Sequence, residues 1–132
     1  MFKEVDHIAI VVRNTEAALA FYRDRMGLPE LESEVLEEAG VRLTHLDMGN
    51  VRLQLVEPLR ADHPLSHHLD DHGEGFHHVC WKTGDVDDAM AGMAPYGFNA
   101  REGEPHAAPR GGRAFFMDPE TTRGVLWEMT GR

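Results

Sequence analysis

Apolar and polar residues alternate from the start of the chain. Across Asp6–Val12, Ile8, Ile10 and Val12 fall on one side of an extended backbone, and His7, Ala9 and Val11 on the other. Strand side chains point to opposite faces in turn, so a period of two predicts a strand. Asn14-Thr15-Glu16 then offers a polar cap and a first-turn acid ahead of Ala17–Tyr22, and Gly27 follows Met26, which predicts a helix and its end. Strands are predicted at Leu31–Leu36, Val41–Met48 and Val51–Glu57, the last two joined by a Gly49-Asn50 turn. A second series follows: a strand at His77–Thr83, a helix from Asp85 through Met93, then strands at Asn99–Glu102, Arg113–Met117 and Val125–Thr130.

The two series share the order β-α-β-β-β, similar caps and similar final strands, so the chain is predicted to be an internal duplication. The expected fold class is α+β, with two tandem βαβββ modules forming a half-barrel cup around a metal site. Residues 1–132 are expected to form one domain, with module one at about 1–60, a connector with a short helix at 61–75, and module two at 76–132.

Parity selects the candidate chemistry. His7, His78, Gln54 and Glu128 occupy equivalent places in the first and last strands of the two modules, each on the face opposite the bulky residues that a helix would cover. Two imidazoles, an amide oxygen and a carboxylate suit a divalent ion such as Co, Mn, Ni, Zn or Mg, with coordination positions left for substrate.

Composition narrows the partners. A formal net charge of −10 disfavours nucleic acid, whose phosphates attract a basic surface. No apolar run approaches the ~20 residues of a membrane helix, so no membrane partner is expected. The single cysteine, Cys80, and the absence of a signal-peptide pattern at the start point to the cytoplasm. Nine histidines add weight to metal or proton chemistry.

At this point the sequence resembles the vicinal oxygen chelate superfamily (glyoxalase, bleomycin-resistance and dioxygenase proteins), and within it the methylmalonyl-CoA epimerases. The resemblance is carried by Asp6–Ile10, Leu53–Leu59, Gly75–Trp81 and Gly124–Met129, and more loosely by Gly111–Pro119. It implies His7, Gln54, His78 and Glu128 as metal ligands, a small acyl-CoA substrate and a homodimer. It also implies epimerisation of a 2-substituted malonyl thioester by removal of the α-proton through an enediolate, with Glu128 as ligand and base. The family's second base is a glutamate on the third strand in some members, and Leu43 stands at that position here. His45 lies two residues on, on the same strand face, and is the candidate for the second proton relay. Lys82, Arg110 and Arg113 are candidates for contacts to CoA phosphates. The same metal set also fits a glyoxalase I-like lyase or isomerase, and the fold also serves ligand-sequestering resistance proteins. A two-His, one-carboxylate dioxygenase is disfavoured by a fourth ligand. His67, His68, His72 and His77 crowd the connector, where a solvated linker is the simpler expectation than a second metal site.

Overall fold

A computed structural model describes all residues, Met1–Arg132. The chain resolves into two compact units, Ile8–His77 and Met1–His7 with His78–Arg132. Strand β1 (Glu4–Val11) contributes its second half to the former and its first half to the latter.

In the Ile8–His77 unit the strand order is β2 (Glu30–Leu36), β3 (Val41–Asp47), β4 (Arg52–Pro58), β1. β3 pairs antiparallel with both β2 and β4, with a register irregularity between Glu30 and Glu32. The Gly49-Asn50 turn forms as expected: Met48 N–H donates to the Val51 carbonyl at 3.0 Å, and Gly49 takes φ +96°, where glycine has no Cβ to clash. Helix α1 (Thr15–Leu19) starts at Asn14, whose side chain accepts from Ala17 N–H at 2.9 Å. It widens into a π-helical turn over Ala20–Arg25, with Met26 N–H reaching back to the Phe21 carbonyl. Helix α2 (Pro64–His72) supplies the short helix expected in the connector.

Both faces of this unit are apolar, each with its own cluster. Ile10, Val12, Ala18, Leu19, Leu46, Leu53 and Leu55 pack on the α1 side. On the other face Ala9, Val41, Leu43 and Val56 pack together, with Leu65 of α2 against them. The odd-numbered β1 positions are therefore the more deeply buried ones, and Ile8 and Ile10 are only half-buried. Parity predicted the faces correctly, but not that the face opposite α1 would be buried too.

In the other unit the order is β1, β5 (Gly75–Lys82), β8 (Trp127–Gly131), β7 (Arg113–Phe116), β6 (His106–Ala107). β5 and β8 are parallel, and β8, β7 and β6 are antiparallel to their neighbours. Helix α3 (Val86–Ala91) is capped by Asp85, whose side chain accepts from Asp88 N–H. Val86, Ala89, Met93, Phe115, Met117 and Met129 form the core beneath it. The strand expected at Asn99–Glu102 does not form. Ala100 makes a single bridge to Met117, and the Glu102 side chain takes the Phe116 N–H that a strand neighbour would have used. The corresponding strand is β6, beyond Gly103 and Pro105. The β-α-β-β-β order holds in both series. No helix is long and apolar enough to cross a membrane.

The start of α1 is held by a part-buried polar contact. Thr15, fully buried, donates from both its backbone N–H and its hydroxyl to Glu57 Oε1, at 2.9 and 2.6 Å. Removing the hydroxyl leaves the half-buried Glu57 carboxylate oxygen with the Thr15 backbone N–H alone, and a hydrogen bond to a charged group is worth roughly 1.5–3 kcal/mol. Thr15→Val should therefore lower the urea-unfolding free energy by about 2 kcal/mol. A loss below about 0.5 kcal/mol would show that the hydroxyl contributes nothing net.

Candidate metal centre

His7 on β1, His78 on β5 and Glu128 on β8 come together in the unit formed by Met1–His7 and His78–Arg132. All three are buried, with 4%, 4% and 7% of their surface exposed. Alternation along β5 and β8 explains the meeting: Cys80 sits opposite Glu128 in the parallel register, and His78 shares the Cys80 face. His78 Nε2 lies 3.0 Å from Glu128 Oε1, and His7 Nε2 lies 3.3 Å from the same oxygen. The two imidazoles meet edge to face, their centroids 5.5 Å apart.

The far side of His7 is also fixed. Its Nδ1 is 2.7 Å from Asp6 Oδ2, so Nδ1–H donates to the carboxylate and Nε2 is the atom turned to Glu128. A carboxylate behind a ligating imidazole sets its tautomer and orientation, and is the usual outer partner of a metal-binding histidine. Burial pushes the His7 pKa down, but the hydrogen bond to Asp6 and the Glu128 carboxylate 3.3 Å from Nε2 outweigh it and raise the value to about 9. Glu128 is the mirror case: burial pushes its carboxyl up, yet His106, His7 and His78 together hold it well below the ordinary value of 4.5.

His106 escaped the sequence reasoning. It lies on β6, with Nε2 3.2 Å from Glu128 Oε2 and Nδ1 3.2 Å from Glu102 Oε1. Its ring stacks on Phe116 at 5.4 Å, and Phe116 also meets His78 edge to face. Both partners of His106 are carboxylates, which only accept, so the ring donates from both nitrogens. Burial lowers its pKa, but Glu102 and Glu128 raise it to about 9. The Glu128 carboxylate is thus divided, Oε1 facing two imidazoles and Oε2 a third. The only sequence signal for His106 was its place near the last strands, obscured because the strand was expected at Asn99–Glu102.

Asp6, His7 and Cys80 form a second group of closely spaced donors. Burial, reinforced by the charges of Glu128 and Asp6, keeps the Cys80 thiol protonated well above its ordinary range, and it donates to the Trp81 carbonyl. A metal-binding cysteine is a thiolate. The His7, His78, Glu128 group is the better donor set for a borderline divalent ion.

Gln54 and His45 belong to the Ile8–His77 unit, directly opposite each other on β4 and β3 and both buried. Gln54 Nε2 is 3.0 Å from His45 Nε2. His45 Nδ1 lies 3.1 Å from Glu32 Oε1, which also accepts from Arg52 at 2.9 Å. Arg52 also approaches His45 Nδ1, at 3.3 Å, so the same nitrogen faces an acceptor in Glu32 and a donor in Arg52. When the Gln54 amide nitrogen donates to Nε2, Nδ1 carries the proton and donates to Glu32. Leu43, next along the same face, belongs to the apolar cluster of Ala9, Val41 and Val56.

The basic residues expected to meet CoA are partly engaged. Arg113 makes a two-pronged pair with Asp87 at 3.1 and 2.8 Å, and Lys82 pairs with Glu4 at 3.0 Å. Arg110 sits in the Pro109–Gly111 turn with φ +61°, beside Gly111.

A model of the Glyoxalase/Bleomycin resistance protein/Dioxygenase superfamily matches residues 6–116. The chain is 31% identical over 125 residues to the Bacillus subtilis protein YqjC, spanning 95% of this chain and 89% of that one. It is 28% identical over 131 residues to the ethylmalonyl-CoA/methylmalonyl-CoA epimerase of Cereibacter sphaeroides, spanning 98% of each. Among solved structures, a variant of the Streptomyces coelicolor methylmalonyl-CoA epimerase in complex with 2-nitronate-propionyl-CoA matches with a TM-score of 0.89 at 34% identity. The match covers 99% of this chain and 98% of that one.

The proton balance gives a direct test. With a pKa of about 9, His7 is protonated near neutral pH, and a metal can use Nε2 only by displacing that proton. Apparent Co²⁺ affinity should therefore climb about tenfold per pH unit for each proton displaced, up to about pH 9. The stability of the metal-free protein runs the other way. The His7 contribution is fully present below its unperturbed value of 6.5 and is lost as pH rises through about 9. The Glu128 contribution is present above 4.5 and is lost as pH falls through the lowered value. Titration calorimetry in buffers of different ionisation heat should show proton release on Co²⁺ binding near pH 7. Binding that releases no proton and ignores pH would contradict the donor assignment.

Proposed function

Because the chain belongs to the glyoxalase/bleomycin resistance/dioxygenase superfamily, we propose that it is a metal-dependent epimerase of a 2-substituted malonyl thioester such as methylmalonyl-CoA. The observation that carries this reading is the buried meeting of His7 Nε2 and His78 Nε2 at Glu128 Oε1, with Asp6 locking His7 from behind. The acyl-CoA choice is supported by relatives named as epimerases of such substrates and by the solved complex with a propionyl-CoA analogue. Cytoplasmic residence and a homodimeric state belong to the same proposal, resting on the single cysteine and on the family resemblance.

His7, His78 and Glu128 would hold the ion, and the family pattern adds the amide oxygen of Gln54. When bound, a divalent cation supplies electrostatic stabilisation for the negative charge that grows as a carbon next to a carbonyl loses its proton. The residues themselves manage the proton. Glu128 keeps Oε1 for the ligand set and takes the α-proton at Oε2, the oxygen that His106 holds at 3.2 Å. His106 fixes the carboxylate in that division of labour.

Returning a proton to the opposite face needs a second group, and Leu43 cannot be one. His45 fills the role in this proposal, taking up the exchanged proton at Nε2 in place of the hydrogen bond that the Gln54 amide gives that nitrogen at 3.0 Å. Glu32 at Nδ1 is the carboxylate that orients the ring and stabilises its charged form. One observation favours a second reading: the apolar packing of Leu43 with Ala9, Val41 and Val56 removes the carboxylate from that position. With Glu128 as the only base, the site suits an isomerase or lyase of glyoxalase I type, in which one group removes and returns the proton.

Incubating the Co-loaded protein with one methylmalonyl-CoA epimer in deuterated water separates these readings. The proposal expects deuterium at C2 together with racemisation, and a loss of both in Glu128→Ala. His45→Ala should slow racemisation by about 10²–10⁴-fold while Co²⁺ binding persists. Deuterium uptake without racemisation would favour the one-base reading, and absence of both would overturn the epimerase.

A further inference from the structure

The connector holds a second group of imidazoles that the proposed function does not use. His68 and His72 are one helical turn apart on α2, and their ring centroids lie 4.7 Å apart. His77, at the start of β5, brings its ring to 5.1 Å from His68, edge to face. The chain makes this meeting possible by reversing within a few residues. Gly73 ends the helix at φ +76° and Gly75 follows at φ +155°, conformations that a side chain would disfavour. His68 and His77 are half-buried and His72 is exposed, so the group opens to solvent on one side.

The other nearby histidines are otherwise placed. His63 caps α2: its Nδ1 accepts from Leu65 N–H at 3.0 Å, and its Nε2 lies 2.9 Å from the Ala39 carbonyl. His67 is exposed and one residue off the His68–His72 face. His78 points to the opposite face of β5 from His77, so the two groups cannot share an ion.

We infer that His68, His72 and His77 form a second binding site for a divalent first-row ion that prefers imidazole, of the Zn, Ni or Cu kind. Histidines at i and i+4 on a helix are a chelating pair for such ions, because the spacing places both rings on one face. His77, whose ring meets His68, completes a three-ligand set once the exposed His72 side chain turns its nitrogen toward the pair, and the open side leaves positions for water. Asp70, Asp71 and Glu74 surround the group in sequence, and the net charge of −10 favours cations over the whole surface. Arg13 approaches from one side, donating from its backbone to Glu74 at 2.7 Å and from its guanidinium to the Leu69 carbonyl at 2.9 Å. It pairs with acceptors and leaves the imidazoles alone.

Equilibrium dialysis of the full chain against Ni²⁺ tests this, with ions per chain as the readout. The wild type should bind two ions, the His68→Ala/His72→Ala double variant one, and His7→Ala/His78→Ala one. The single variant His72→Arg, at an exposed position, guards against misfolding and should also lose one ion. Retention of the second ion in both connector variants would overturn the site, as would a wild type that binds a single ion lost on changing His7 and His78. The His7→Ala/His78→Ala arm separates failure here from failure of the proposed metal centre.

Discussion

A buried carboxylate surrounded by imidazoles is the constraint on which the rest of the candidate site depends. Removing an ionised glutamate from water is costly unless positive charge and hydrogen bonds replace the lost hydration. Glu128 meets that demand with three histidines from three strands: His7 on β1, His78 on β5 and His106 on β6. Each also has a second fixed neighbour. Asp6 backs His7, Glu102 backs His106, and the Phe116 ring lies against both His78 and His106. Protons can neutralise the cluster, and a divalent cation can do so by taking the place of protons. That exchange links the electrostatics of the fold to the proposed chemistry, because the donor atoms that stabilise Glu128 are those a metal would use.

Much of this was legible from alternation alone. His7, His78 and Glu128 were selected because each lies opposite bulky residues at matched positions of two similar series, and strands with a period of two leave few other arrangements. The Gly49-Asn50 turn and the Asn14 and Asp85 caps followed from local backbone chemistry. His106 was not legible, because the segment between Gly97 and Arg113 is rich in glycine and proline and carries no alternation. Its two-residue strand is defined by pairing with Arg113 and Ala114, which is a long-range contact. The neighbours of His45 were half-legible. Arg52 shares a face with Gln54 by parity, whereas Glu32 reaches His45 through the β2–β3 register, which an irregularity after Glu30 shifts.

Leu43 sharpens what is particular to this chain. Where the family resemblance leads one to expect a glutamate, this sequence packs a leucine into an apolar cluster and sets a histidine two residues further along, beside Glu32 and Arg52 and facing Gln54. A carboxylate at that point would be buried among Ala9, Val41 and Val56 without a partner among them. The leucine is thus consistent with its own surroundings.

The central claim is that His7, His78 and Glu128 hold one divalent cation. Anomalous diffraction from crystals of the cobalt-loaded protein tests it most directly. The account predicts a strong cobalt peak about 2.0–2.3 Å from His7 Nε2, His78 Nε2 and Glu128 Oε1. Asp6 should still sit on His7 Nδ1 and His106 on Glu128 Oε2. Cobalt bound elsewhere, with both imidazoles still turned onto the carboxylate and no density between them, would contradict it.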